Sequence, residues 1–96
     1  MDVRLAFLLS RAEEALPRLQ ALGLGAEVYL DPALLEEDAL FQSLRRRLPG
    51  RVSVHLPFWN LDLLSPDPEV RGLTLRRLLF GLDRAAELGA DRAVFH

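Results

Sequence analysis

The sequence predicts an α/β protein of parallel β/α repeats, with the element order β-α-β-α-β-α-β. Three observations carry that expectation. Strand-length apolar runs alternate with stretches whose leucines recur at helical spacing, an alternation that implies a parallel sheet with right-handed crossovers. His55 and His96 stand at the ends of the third and fourth runs, residues 51–56 and 92–96, and ligands gather at the carboxyl ends of such strands. No helical segment follows the fourth run. Four strands and three helices fit two architectures. One is the N-terminal half of a (β/α)8 barrel, whose usual length of about 250 residues exceeds this chain. The alternative is a small open parallel sheet. The expected organisation is a single partial barrel domain over residues 1–96.

Each element has its own signal. Residues 3–9 form the first apolar run. Ser10 with Glu13 three positions later reads as a capping box, and Ala12, Ala15, Leu16, Leu19 and Leu22 follow at helical spacing. Pro17 should kink that helix or displace its start, and Gly23 and Gly25 end it. Residues 26–30 are the second strand. Asp31 then fits an N-cap, with Pro32 at the first helical position. The second helical region divides into a short part, 33–37, and a stronger part with Leu40, Leu44 and Leu48 that stops at Pro49 and Gly50. Arg45, Arg46 and Arg47 fall in its last turn, where cations offset the helix dipole, and read as a solvated helix end rather than a phosphate patch. After the third strand, Ser65, Pro66, Asp67 and Pro68 are helix-start signals. The longest helix follows, with Val70, Leu73, Leu75, Leu78, Leu79, Leu82, Ala85 and Ala86 as a broad apolar stripe, and Leu88 and Gly89 end it.

Composition bounds the class of function. Half of the residues are hydrophobic and 27% are charged, the balance of a folded domain rather than a disordered one. No apolar run approaches the ~20 residues that span a bilayer, and the opening residues lack a signal-peptide layout, so a cytoplasmic protein is expected. Cysteine is absent, leaving His, Asp and Glu as metal ligands. All 12 cationic residues are arginine, which suggests a GC-rich, thermophilic source and excludes Schiff-base chemistry through a lysine of this segment. The net charge of −2 makes a nucleic-acid partner unlikely and a membrane partner is not expected.

Strand parity selects the candidate residues. Val52, Val54 and Leu56 share one face of the third strand, which leaves Ser53 and His55 on the other. Val94 and His96 share a face of the fourth. Glu27 shares a face with Tyr29, opposite Val28 and Leu30, and that face is the barrel interior if Val28 and Leu30 pack on helices. A carboxylate there needs pairing or hydration, so Glu27 is either functional or ion-paired with an interior arginine such as Arg4. His55 reads equally as a hydrogen-bonded rim histidine or as a ligand. Asn60 and Asp62 are loop-capping groups. No Gly-rich phosphate loop, nucleophile elbow or paired-carboxylate motif is present, and no general base is identified.

Five stretches carry a family likeness: His55-Leu-Pro-Phe58, Leu64-Ser-Pro-Asp67, Val70-Arg-Gly-Leu-Thr-Leu75, Ala86-Glu-Leu-Gly-Ala90 and Val94-Phe-His96. Together with Gly25-Ala-Glu-Val-Tyr-Leu30, which resembles the family's Gly-x-Glu strand at Glu27, they make the chain resemble the xylose isomerase-like TIM barrels. That superfamily holds sugar-phosphate isomerases and epimerases, with endonuclease IV as a relative. The family's His-Pro-Gly after the fourth strand is cut off at His96, and the Gly-rich, His-containing opening of endonuclease IV is missing. The resemblance implies a metal-dependent isomerase or epimerase acting on a sugar or sugar phosphate. It implies a divalent cation (Zn, Mn or Mg) in the complete barrel, with His55 and His96 as metal ligands. His55, Glu27, Phe58 and Trp59 would contact substrate, the last two as an apolar wall unless they simply pack the rim. The acidic ligands would come from strands absent here, so this segment alone should be inert. Two other functions stay open: a non-catalytic half-barrel acting through assembly, and metal-dependent phosphodiester cleavage on abasic DNA. A half-barrel should show strand order 1-2-3-4 with helices on one face. It should also self-associate or require its missing C-terminal half.

Overall fold

Each apolar run forms a strand, and each strand pairs in parallel with the one before it. A computed structural model describes residues 2–57 and 61–95. Strand β1 (Arg4–Leu8) pairs with β2 (Gly25–Tyr29), β2 with β3 (Val52–His55), and β3 with β4 (Arg92–Val94), so the sheet runs β1-β2-β3-β4. The consecutive order is the one expected. A doubly wound sheet would reverse direction partway across, and this one does not.

Register sorts the side chains into two faces. Leu5, Ala26 and Val52 lie in one row, and Phe7, Val28, Val54 and Ala93 in the next. These rows, extended by Leu9, Leu30 and Leu56, carry the core. The helices α1 (Ala12–Leu22), α2 (Asp38–Arg47) and α3 (Pro68–Glu87) bring Leu16, Leu19, Phe41, Leu44 and Ala85 into that same cluster. All three therefore cover one side of the sheet. Val28 and Val54 are fully buried beneath them, because residues of a central parallel strand are covered wherever crossover helices pack. The result is an α/β fold with a small four-stranded parallel sheet and a single helical layer. Among the described residues no helix is long and apolar enough to cross a membrane.

Several local expectations are corrected. The Ser10–Glu13 capping box does not form. A 3-10 turn, Leu9–Arg11, precedes α1, whose N-cap residue Arg11 makes no side-chain cap. The Ser10 N–H donates to the Asp31 carboxylate instead (3.0 Å), and Glu13 takes an ion pair from Arg47. Asp31 is thereby diverted from capping the 3-10 turn Pro32–Leu34, although Pro32 does hold the first position there. Pro17 lies inside α1, where its missing N–H forfeits a bond to the Glu13 carbonyl. Gly23 ends that helix at φ +64°, in the left-handed region open to glycine.

The largest correction concerns α3. Its start is as expected: Asp67 accepts from the Glu69 N–H at 2.9 Å, with Pro68 at the first position. Its leucine stripe, however, is not its buried face. Leu73, Leu75, Leu79 and Leu82 are exposed, and the residues turned inward are Thr74, Gly81, Arg84 and Ala85, with Leu78 half-buried. The helix lies too close to the sheet at Gly81 for large side chains. Arg84 fills the adjoining gap, its guanidinium 4.3 Å from the centre of the Phe41 ring and 5.1 Å from that of Phe80. It donates to the Leu35 carbonyl (2.8 Å) and to the carboxylates of Glu87 and Asp38. Burial opposes the charge of Arg84, but those two carboxylates outweigh it and raise its pKa.

Candidate functional site

The face of the sheet away from the helices carries the candidates. Ala6, Glu27, Ser53 and Arg92 form one row across it, and Leu8, Tyr29, His55 and Val94 the next, nearer the carboxyl ends of the strands. Parity thus places His55 and Glu27 as expected. His55 ends β3, on the side opposite Val52, Val54 and Leu56. Glu27 sits in the middle of β2, opposite Val28 and Leu30, which do pack on helices. The central strands lie low in this surface. Ser53 and His55 are buried, Glu27 and Tyr29 are half-buried, and Ala6, Leu8 and Val94 toward the edges are exposed.

Two described contacts bear on His55. Its Nδ1 lies 2.9 Å from the Leu56 carbonyl oxygen. A carbonyl only accepts, so Nδ1 carries a proton, and in the neutral ring Nε2 is then the basic nitrogen. The imidazole also stacks on the Tyr29 ring, with centroids 4.8 Å apart and planes 19° from parallel. Sequence reasoning misses Tyr29 as a site residue. Its parity with Glu27 is visible there, but its contact with His55 depends on the β2–β3 register, which sequence does not print.

Arg4 is not the partner of Glu27. Arg4 lies on the same face, but its guanidinium donates to Asp91 (2.8 and 2.6 Å) and to Asp2 (3.1 and 2.9 Å). These bonds hold the Asp91 and Asp2 carboxyls below the ordinary carboxylate value and raise the Arg4 pKa. The cluster binds the starts of β1 and β4 at the end of the sheet away from His55. Asp62 does cap its loop: Oδ1 accepts from the Leu64 N–H at 2.8 Å, and Thr74 Oγ1 accepts from the Asp62 N–H at 2.9 Å. Phe58, Trp59, Asn60 and His96 lie outside the described residues.

Among the described residues no group of three or more His, Cys, Asp or Glu side chains is placed to hold a metal ion. His55 fits part of a ligand set, since a metal-binding histidine usually ties its other nitrogen to a carbonyl or carboxylate. A cleft of about 270 Å³ lies elsewhere, on the helical side between Leu35 and Phe80, with Glu36, Arg76 and Arg77 at its walls. It has no connection with the polar sheet face.

Fold and site together define a parallel α/β segment with one helical layer and a second, polar face. No protein-family model matches the chain, and no curated protein does. A solved structure of the TTHB071 protein from Thermus thermophilus, in a form soaked with ZnCl2, is similar to it: the two are 95% identical and superpose with a TM-score of 0.97. The match covers all of this chain but only 39% of that one. As 96 residues make up that 39%, the Thermus chain has about 250 residues.

Proposed function

We propose that these residues are the N-terminal half of a (β/α)8 barrel of the xylose isomerase-like kind, a cytoplasmic, metal-dependent isomerase or epimerase of a sugar or sugar phosphate. The observation that carries this reading is the consecutive parallel sheet whose face opposite the helices carries Glu27, Tyr29, Ser53 and His55 in two adjacent rows. Barrels line their interiors in this way, with the reactive groups near the carboxyl ends of the strands. A similar chain of about 250 residues, the usual barrel length, supports it.

In the completed pocket the reaction would be proton abstraction beside a carbonyl or hydroxyl. A divalent cation, held by His55 and His96 with carboxylates from outside this segment, would polarise the substrate oxygens. His55 keeps its Nδ1 proton on the Leu56 carbonyl, so Nε2 would be its ligating nitrogen. Glu27, which Arg4 does not neutralise, offers a carboxylate suited to sugar hydroxyls. Phe58 and Trp59 would wall the sugar ring and exclude water. The base belongs to the part of the barrel outside this segment.

The experiment is hydrogen exchange at carbon. Extended to the full length of its Thermus relative, the chain should exchange a carbon-bound hydrogen of some aldose, ketose or phosphate ester with D2O when Zn²⁺, Mn²⁺ or Mg²⁺ is supplied. The 96-residue chain should not. Turnover by the short chain, or failure of the long one across a broad sugar panel, overturns the proposal.

A second reading, a half-barrel that acts through assembly, is favoured by a separate observation. Strand β4 lies at the sheet edge with Val94 and Phe95 exposed, and α3 exposes Leu75, Leu79 and Leu82.

A further inference from the structure

We infer that the cleft on the helical side is a binding site for a small organic phosphate. The charged end of the ligand meets Arg76 and Arg77, and its apolar body lies against Leu35, Leu73 and Phe80. The inference goes beyond the proposed function and stands without it, because the sheet separates this cleft from Glu27 and His55. The walls come from two stretches of chain. Leu73, Arg76, Arg77 and Phe80 stand at i, i+3, i+4 and i+7 of α3, one stripe of that helix. Leu35 and Glu36 lie opposite, between the 3-10 turn and α2. The volume is about 270 Å³. Sites for drug-sized ligands run from ~300 to 1,000 Å³, so this one suits a smaller molecule.

Both walls are held in place without a ligand. Arg77 Nη1 donates to the Pro32 carbonyl at 2.9 Å, and the Leu35 N–H reaches the same oxygen at 3.4 Å. Arg84 donates to the Leu35 carbonyl, and its guanidinium lies 5.1 Å from the centre of the Phe80 ring. A site ordered beforehand spares its ligand that entropic cost. The positive charge, by contrast, is left uncompensated. Asp38 and Glu87 are engaged by Arg84. Glu36 lines the cleft, yet among the described residues it forms no ion pair with Arg76 or Arg77. Arg77 has only its carbonyl partner, and Arg76 has no ion-pair partner among the described residues. Two guanidinium groups with donors to spare thus border an apolar floor. One guanidinium fork satisfies a carboxylate. A phosphate monoester carries about −1.5 to −2 charge at pH 7 and three acceptor oxygens, enough for two forks. The lining includes no histidine, serine or threonine, so the site holds its ligand without transforming it.

The probe is phenyl phosphate, titrated into the nitrogen-15-labelled 96-residue protein in a phosphate-free buffer. Saturable amide shifts should centre on Leu35, Glu36, Arg76, Arg77 and Phe80, with an affinity in the millimolar range. Inorganic phosphate, which lacks the apolar body, and phenol, which lacks the charge, should each bind more weakly. Arg76 and Glu36 are exposed, so their variants keep the fold. Arg76→Gln should weaken phenyl phosphate about tenfold, the loss of one charge-assisted contact. Glu36→Gln should strengthen it about twofold, since a like charge is removed from the wall. No saturable shift at these residues overturns the inference, as does an affinity unchanged in Arg76→Gln. Phenol or inorganic phosphate binding as tightly as phenyl phosphate overturns it too. Carbon-bound hydrogen exchange is a separate readout. Phosphate binding here by a long chain inactive on every sugar would sink the proposed function and leave this site intact.

Discussion

At Gly81 the backbone of α3 comes so near the end of β3 that a Cβ would meet Pro57 Cδ at 2.9 Å and Leu56 Cδ2 at 3.0 Å. The proline ring is fixed to its backbone and cannot swing aside. Alanine favours helix over glycine by ~1 kcal/mol, yet Gly81→Ala should lower stability by ~1–2 kcal/mol, as overpacking costs ~1–3 kcal/mol. Urea denaturation checks this; a stabilised variant would mean that the helix can lift off the sheet freely. Arg84, one turn on, is the only described bond donor to the Leu35 carbonyl among side chains. Arg84→Met keeps an apolar stem against Phe41 but leaves that carbonyl without its donor, an unmade bond worth ~1–3 kcal/mol. A similar loss of unfolding free energy is expected, and a change below ~0.5 kcal/mol would show the Arg84 cluster to be solvated. At this scale His55 and Glu27 are legible in the sequence, because strand parity depends on nothing but order. Tyr29 and Arg84 are not, since their roles arise from partners on other elements, far along the chain.

Among the elements, the strands and their order follow from the sequence, while α3 does not turn the face its leucines suggest. The reason is that leucine is spread around that helix, so periodicity alone offers more than one apolar face. Sterics choose between them: the approach at Gly81 admits only small residues beneath. The caps mislead for a related reason. Ser10 and Asp31 both suit N-caps, but they meet each other across the ends of β1 and β2, and that contact replaces both caps. With Leu75, Leu79 and Leu82 pointing outward, changing any one of them to glutamine should alter the stability of the monomer by no more than ~0.5 kcal/mol. Chemical denaturation at low protein concentration is the check. A loss of ~2 kcal/mol or more would place that leucine in a packed interior.

The whole molecule is tied by charge, at the amino ends of β1 and β4 and between α1 and α2. Arg4 joins Asp2 and Asp91, and Arg47 on α2 joins Glu13 on α1. The three carboxyls have folded-state pKa values below their ordinary 3.8 (Asp) and 4.5 (Glu). A depressed pKa gives stability that is fully present above the unfolded-state value and disappears as pH falls through the folded-state one. Stability should therefore hold down to about pH 4.5 and decline below it. Arg4→Gln should flatten the part of that decline due to Asp2 and Asp91, and an acid transition unchanged in the variant would contradict the assignment. The ties are exposed on the carboxylate side, so salt should weaken them.

What sequence could not decide is whether the sheet closes into a barrel, because closure would depend on strands beyond these four. In the proposed barrel the polar sheet face would be the inside and the β4 edge the seam. Alone, such a half should bury them against a second copy, as open strand edges and apolar patches do. Light scattering of the 96-residue protein across a dilution series tests this most directly. A dimer should form at high concentration and dissociate on dilution; a monomer of unchanged mass at every concentration, with a cooperative melt, would refute the half-barrel reading.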